Sequence, residues 1–239
     1  MIVEGPGFFG KLPGSGDFVS RGLSRPLIAG LDAWLHDGLA ALPSRFGPTW
    51  LEHYLVAPAW SFVLPAGGWS PTMMLGAAIP SVDRVGRYFP LVALAGVPAN
   101  TPLPACLPPV SDWHATARGL LLKALQEGMP PDDLMTHLAE VRVFGQMPSQ
   151  SSATDDDIMS ILGDFGAPDT DPQAASPDFS WPEMPLLFEA RLDRSFWWTE
   201  ASAAQSARQM IHRGPPDTPL CAQLFGPIQP VQVGWSNAL

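Results

Sequence analysis

Three short apolar segments in the middle of the chain restrict its fold more than any other feature. They occupy residues 60–64, 72–79 and 88–95, and each has the length and apolar character of a buried strand. Their short connectors predict neighbouring antiparallel strands, with residues 83–87 at the end of one hairpin. The centre of the chain therefore predicts an antiparallel sheet.

Helical patterns precede these strands. Ser24 followed by Pro26 is typical of a helix start, and Pro43 is predicted to end that helix. A second helix is predicted over 48–55. The apolar stripe of the first helix consists of Leu27, Leu31, Trp34, Leu35 and Leu39, and the predicted buried side of the second consists of Trp50, Leu51, Tyr54 and Leu55.

Further elements surround the central strands in the sequence. They are predicted strands at 7–12, 185–192 and 195–199, and predicted helices at 110–127, 131–141 and 217–226. Strands gathered in the middle with helices on either side are typical of layered folds. We therefore predict the α/β class, as a layered α-β-α sandwich with a mostly antiparallel central sheet, formed by a single domain over 1–239.

One window differs from the rest in composition. Residues 143–190 contain nine acidic residues and six prolines but no Lys or Arg, and we predict a flexible acidic insertion at about 143–183. Thr154 and Asp157 imitate a capping box before an apolar run at 158–165. This run is either a short helix that docks into a partner's groove or part of a loop that folds back on its own domain.

Charge and apolar content limit the partners. The formal net charge of −10 would repel nucleic acid and anionic membrane surfaces, so neither is expected as a partner. No apolar run reaches the ~20 residues that span a bilayer, and Glu4 and Pro6 interrupt any leader-like start. We expect a cytoplasmic protein without membrane insertion. Cys106 and Cys221, which share no spacing pattern, are expected to be buried thiols.

Two glycine-punctuated loops concentrate charge in a chain that is only 15% charged. One follows residue 10 and the other spans 80–90. If the fold joins them, their cations would keep both carboxylates ionised in an ion-pair cluster with a role in folding or recognition. The alternative is an acid/base pair made by Asp17 and Asp83. The charged residues concerned are Lys11, Asp17, Arg21, Asp83, Arg84 and Arg87.

Sequence patterns of nucleotide-binding and metal-binding sites lack here the flanking elements or the spacing that such sites require. Residues 5–11 spell both G-x-G-x-x-G and G-x-x-x-x-G-K, but too few residues precede Gly5 for a strand, and Leu12 stands where a nucleotide loop needs Ser or Thr. The segment instead predicts a glycine-rich edge strand. Neither the histidines nor the cysteines have metal-ligand spacing. We therefore expect no cofactor and no metal.

Trp197 and Trp198 are adjacent in the last predicted strand, so their side chains should point to opposite faces. One is expected in the core. The other either packs under a helix or marks a contact surface, because exposed tryptophan is enriched at interaction hot spots.

Three sequence blocks carry a resemblance to a known family. GFFGKLPGSGDFVSRGL at 7–23, PSVDRVGRYFPL at 80–91 and SFWWTEAS at 195–202 resemble the TagF family, also called ImpM, which accompanies bacterial type VI secretion systems. The resemblance implies a cytoplasmic negative regulator of secretion that acts after translation by binding a forkhead-associated scaffold protein, Fha. The resemblance implies no catalytic residue. The charged residues of the two loops match charged motif positions of the family, and their role is either to set the fold or to recognise a partner.

Two other functions remain open at the level of sequence. The first is a hydrolase-like enzyme that uses the Asp17/Asp83 pair, which requires converging carboxylates in an open pocket with at least one raised pKa. The second is a structural component of the secretion baseplate, which requires a large exposed apolar patch.

Overall fold

A seven-stranded antiparallel sheet forms the centre of the described chain. The computed structural model describes residues 5–97, 103–141, 193–201 and 206–227. The strands are β1 (Gly7–Gly10), β2 (Val19–Arg21), β3 (Trp60–Leu64), β4 (Met74–Ile79), β5 (Leu91–Gly96), β6 (Arg194–Thr199) and β7 (Arg208–Arg213). Their order in the sheet is β2-β1-β5-β4-β3-β6-β7, with every neighbouring pair antiparallel.

Helices cover both faces of this sheet. They are α1 (Arg25–Phe46), α2 (Trp50–Leu55), α3 (Leu103–Glu127), α4 (Pro131–Glu140) and α5 (Thr218–Phe225), with a 3₁₀ turn at Gly47–Thr49. One core layer joins the sheet to α1, α2 and α5, and the other joins it to α3 and α4. The predicted layered α/β sandwich with a mostly antiparallel sheet is confirmed.

Alternation along the strands divides the two core layers. On β4, Leu75 and Ala77 face the layer with α3, whereas Met74 and Ala78 face the layer with α1. Both faces of the central strands are therefore buried, which explains why the segments read as continuous apolar runs rather than alternating ones.

The centre of the sheet depends on one glycine. Phe62 on β3 lies opposite Gly76 of β4 on one side and Trp197 of β6 on the other. The Phe62 ring stacks on Trp197 with ring centroids 4.3 Å apart. A Cβ atom at residue 76 would collide with the Phe62 ring, so glycine there leaves the space that the stacked pair needs.

The first helix is longer than the sequence predicts. Pro43 does not end α1, which continues to Phe46, and the backbone N–H of Gly47 donates to the Pro43 carbonyl. Proline fixes φ near the helical value, so the helical backbone continues through residue 43, although the hydrogen bond that an N–H there would donate to the carbonyl of residue 39 is lost. Helix α3 likewise begins before the predicted residue 110, with Pro104 in its first turn.

One residue of the predicted apolar faces is misplaced. Leu55 was expected on the buried side of α2 but is 54% exposed, whereas Tyr54 is fully buried. Neighbouring helical residues point about 100° apart. In this six-residue helix Tyr54 points to the core, and Leu55, the last residue, points to solvent.

The sheet is wider than predicted. Strands β2 and β7 were not expected, because β2 has only three residues and β7 is polar at most positions. As a result, the glycine-rich β1 lies between β2 and β5 and is not the predicted edge strand. The predicted buried thiol is confirmed for Cys221. The side chain of Cys106 is not among those that the structure describes.

Several predictions fall on residues outside the described ranges. These are the acidic insertion at about 143–183, the capping box with its apolar run, and the strand at 185–192. Strands on both sides of this gap nevertheless belong to one sheet, since β6 pairs with β3. The single-domain assignment stays a prediction. Among the described helices, none has the length and apolar content to cross a membrane.

Candidate functional site

Two charged loops lie side by side at one end of the sheet. We define loop A as residues 11–18, which follow β1, and loop B as residues 80–90, which join β4 to β5. Strand β5 pairs with both β1 and β4, so it brings these loops to the same end. The Arg84 N–H donates to the Ser15 carbonyl at 3.0 Å, and the Arg87 guanidinium donates to the Gly16 carbonyl. The prediction that the charged loops meet is confirmed.

A glycine at the end of β1 permits this approach. Gly10 has a φ of 142°, in the region that favours glycine, and a Cβ there would collide with the backbone of Pro90 and Leu91. The glycine therefore allows loop A to leave β1 directly against the end of loop B.

The carboxylate of Asp83 is the centre of the two loops. Its side chain is 0% exposed, and Oδ2 accepts hydrogen bonds from Lys11 Nζ and Arg87 Nε, each at 2.7 Å. Oδ1 accepts from the backbone N–H groups of Val85 at 3.0 Å and Arg87 at 2.9 Å. Burial opposes ionisation, but these four donors outweigh it and hold the pKa of Asp83 well below its usual range. Asp83 is therefore a fixed, saturated anion.

A second buried network fastens the start of loop B to loop A. The Tyr54 hydroxyl donates to the Ser81 carbonyl at 3.0 Å and accepts from the Ser81 N–H at 2.9 Å. The Ser81 hydroxyl donates in turn to the Lys11 carbonyl at 2.7 Å. Burial raises the pKa of Tyr54, so its hydroxyl stays protonated as a donor. Sequence reasoning missed this role, because nothing near residue 54 indicates a partner in loop B.

Aromatic rings pack beneath and beside the ion pairs. Phe18 stacks on Phe9 with centroids 5.7 Å apart and meets the edge of Phe89 at 4.7 Å. Lys11 Nζ lies 5.0 Å from the centroid of the Phe18 ring. Phe18 is 48% exposed, so its ring contacts the buried residues on one side and solvent on the other.

The two predicted carboxylates have opposite environments. Asp17 is 98% exposed at its side chain and lies 3.6 Å from Arg87 Nη2, whereas Asp83 is buried. An acid/base pair requires a carboxyl with a raised pKa, and the pKa of Asp83 moves downward. The arrangement therefore favours a structural or recognition cluster over proton transfer.

Two of the predicted cations lie outside the Asp83 centre. Arg21, on β2, pairs with Asp132 of α4 at 2.8 Å on the surface. Arg84 is exposed beside Gly16, and within the described residues its guanidinium makes no ion pair. Of the four cations expected in the ion-pair cluster, only Lys11 and Arg87 contact Asp83. Arg84 lies exposed on the turn instead.

Neither tryptophan of β6 is available as a contact residue. Trp197 is 0% exposed in the core layer with α1, and Trp198 is 4% exposed in the layer with α3. The Trp198 ring lies 4.6 Å from the His114 ring of α3. The expectation of a core residue and of packing under a helix is confirmed, and the contact-surface alternative is wrong, because helices cover both faces of β6.

Comparisons with known proteins show a family and a fold that this chain resembles. The family model described as the TagF N-terminal domain, type VI secretion system-associated, matches residues 7–141, which include both loops. The crystal structure of PA0076 from Pseudomonas aeruginosa PAO1 is similar to this chain, with a TM-score of 0.69 and 28% identity. The similarity covers 96% of this chain and 99% of that one. No curated protein matches by sequence.

Proposed function

This chain belongs to the TagF family of type VI secretion system-associated proteins, and we propose that it is a negative regulator of that secretion system. In this proposal it acts in the cytoplasm, after translation, by binding another protein rather than by catalysis. The partner is an Fha-type scaffold carrying a forkhead-associated domain. The family resemblance of the two loop blocks supports this choice of partner.

One observation carries the binding mechanism. The Asp83 carboxylate, the only buried acidic group among the described residues, accepts four hydrogen bonds and has a lowered pKa. Such a group holds its loops in shape but has no free position for a proton or a substrate. The charged loops therefore present a rigid surface, which suits recognition of a protein.

The proposal is tested by measuring secretion and binding with the same variants. The full chain is produced in a bacterium that has the secretion system and its scaffold, and a secreted substrate is quantified in the medium. Secretion is expected to fall while the cellular amounts of the secretion proteins stay constant, which is the mark of control after translation. Binding to the purified scaffold is measured by titration calorimetry.

The double variant Asp17→Asn with Asp83→Asn separates binding from turnover. If occupancy of the scaffold sets repression, binding and repression fall or survive together in this variant. In an enzyme, neutral isosteres remove acid/base capacity while keeping much of the shape, so binding would survive while repression vanished. That second pattern, in a variant shown by circular dichroism to be folded, would overturn the proposal.

A further inference from the structure

We propose that the outer surface of the two loops, formed by Phe18, Arg84 and Val85, docks an acidic protein segment that carries an apolar side chain. We call these three residues the docking surface. The inference rests on the proposed function and deepens it, because it assigns the contact to one surface and states the chemistry of the partner.

The docking surface exposes apolar groups on a well-ordered base. Val85 is 64% exposed and Phe18 is 48% exposed, and they belong to loops that the Arg84–Ser15 backbone hydrogen bond joins. A single exposed apolar residue is ordinary on a protein surface. Phe18 and Arg84 are residue types that are enriched in interfaces, and Val85 adds exposed apolar area next to Arg84 in the same loop.

The local charge is opposite in sign to that of the whole molecule. Lys11, Arg84 and Arg87 carry three positive charges at the two loops against the negative charges of Asp17 and Asp83, which leaves a local charge of +1. The chain as a whole carries −10. Residues 143–190 account for −9 of that total, so most of the negative charge lies in one segment. An acidic partner segment is therefore attracted to the positive loops and repelled by the net charge of the chain.

Arg84 is the cation best placed to receive such a segment. Lys11 and Arg87 are already engaged by Asp83, at 2.7 Å each. The exposed Arg84 guanidinium makes no ion pair within the described part of the chain. Its planar fork of donors suits a carboxylate of the partner in a bidentate contact.

The loops are held in shape before any partner arrives. The backbone of residues 83–87 is closed by the Asp83 N–H to the Arg87 carbonyl at 3.0 Å and by the Gly86 N–H to the Asp83 carbonyl at 3.1 Å. The Asp83 carboxylate binds the same turn from inside. A surface that is already ordered loses little conformational entropy on binding, so a modest contact area can suffice.

The test uses charge reversal on the full-length chain. Binding of the purified Fha-type scaffold is titrated with the wild type and with Arg84→Glu and Val85→Asp, at low and at high ionic strength. Arg25→Glu is the matched control: Arg25 is exposed and follows the end of β2 that pairs with Phe8, away from loops A and B. Thermal unfolding confirms that each variant is folded.

We expect Arg84→Glu to weaken binding by at least about tenfold and Val85→Asp by a similar factor, since each change opposes one part of the contact. Arg25→Glu is expected to stay within about twofold of the wild type, and the loss in Arg84→Glu to be smaller at high salt. If the wild type binds and both loop variants bind equally well, the docking surface is refuted while the proposed function stands. A wild type that does not bind refutes both.

Two other occupants are distinguishable by measurements on the free protein. A second copy of the chain would show as a concentration-dependent dimer in sedimentation that Arg84→Glu abolishes. The chain's own acidic residues 143–190 would show as hydrogen-exchange protection of that segment in the wild type that Arg84→Glu abolishes. Either result would overturn the assignment of this surface to a partner protein.

Discussion

The Asp83 centre and the Arg21–Asp132 pair bring together the same kinds of charge in two different surroundings. Asp83 is buried and accepts four hydrogen bonds, whereas the Arg21 and Asp132 side chains are 44% and 81% exposed and share one short contact. Their N–O distances are nearly equal, at 2.7 and 2.8 Å. Distance alone therefore does not rank the two pairs; burial and the number of donors do.

The largest expected effect is the removal of a cation from the buried centre. Lys11→Met is expected to lower the free energy of unfolding by about 3 kcal/mol, because loss of one partner leaves a buried charge undercompensated. Urea unfolding at neutral pH measures it. Methionine keeps most of the volume of lysine, so the loss reflects charge and hydrogen bonding rather than a cavity. A loss smaller than about 1 kcal/mol would mean that burial gives this pair no advantage over a surface pair.

The second expected effect is a pH dependence specific to Asp83. Its pKa is lower in the folded chain than in the unfolded chain, where it is about 3.9. Its ionised form therefore stabilises the fold above about pH 4, and this stabilisation is lost as the pH falls through the lower folded pKa. Urea unfolding of the wild type and of Asp83→Asn should differ most near neutral pH and converge in acid. A difference that stayed constant down to acid pH would contradict the lowered pKa.

The smallest expected effect is at the surface pair. Arg21→Met is expected to change the free energy of unfolding by less than about 1 kcal/mol, because exposed ion pairs gain little over solvation in water. The same urea experiment measures it, and the change should shrink further at high salt. A loss as large as that of Lys11→Met would show that Arg21 has a packing role between β2 and α4, and the contrast between the two pairs would fail.

The periodic elements were predictable because their signals are local. The strand at Trp60–Leu64 and the helix at Thr218–Phe225 follow from runs of apolar residues bounded by turn residues. Strands β2 and β7 were not predictable in this way. The three residues of β2 are too few to show an alternating pattern. The polar β7 becomes a strand through its pairing with β6.

The candidate site was predictable in its members but not in its pairings. Charge concentrated in two loops indicated Lys11, Asp83 and Arg87, and the structure joins them. It separates Arg21 and directs Arg84 to the surface. The direction of a loop side chain depends on turn geometry and on contacts with a distant segment, and neither leaves a pattern along the chain.

The sequence by itself determined the antiparallel core, the helical layers and the two charged loops, because apolar periodicity and turn residues act over a few neighbouring positions. Only the tertiary structure decided which cation neutralises Asp83, that Tyr54 fastens loop B, and that both tryptophans of β6 are buried. Those outcomes depend on residues that are distant along the chain, such as Lys11 and Asp83, and on the desolvation that their contact imposes. Such contacts exist only once the sheet has brought the two loops to the same end.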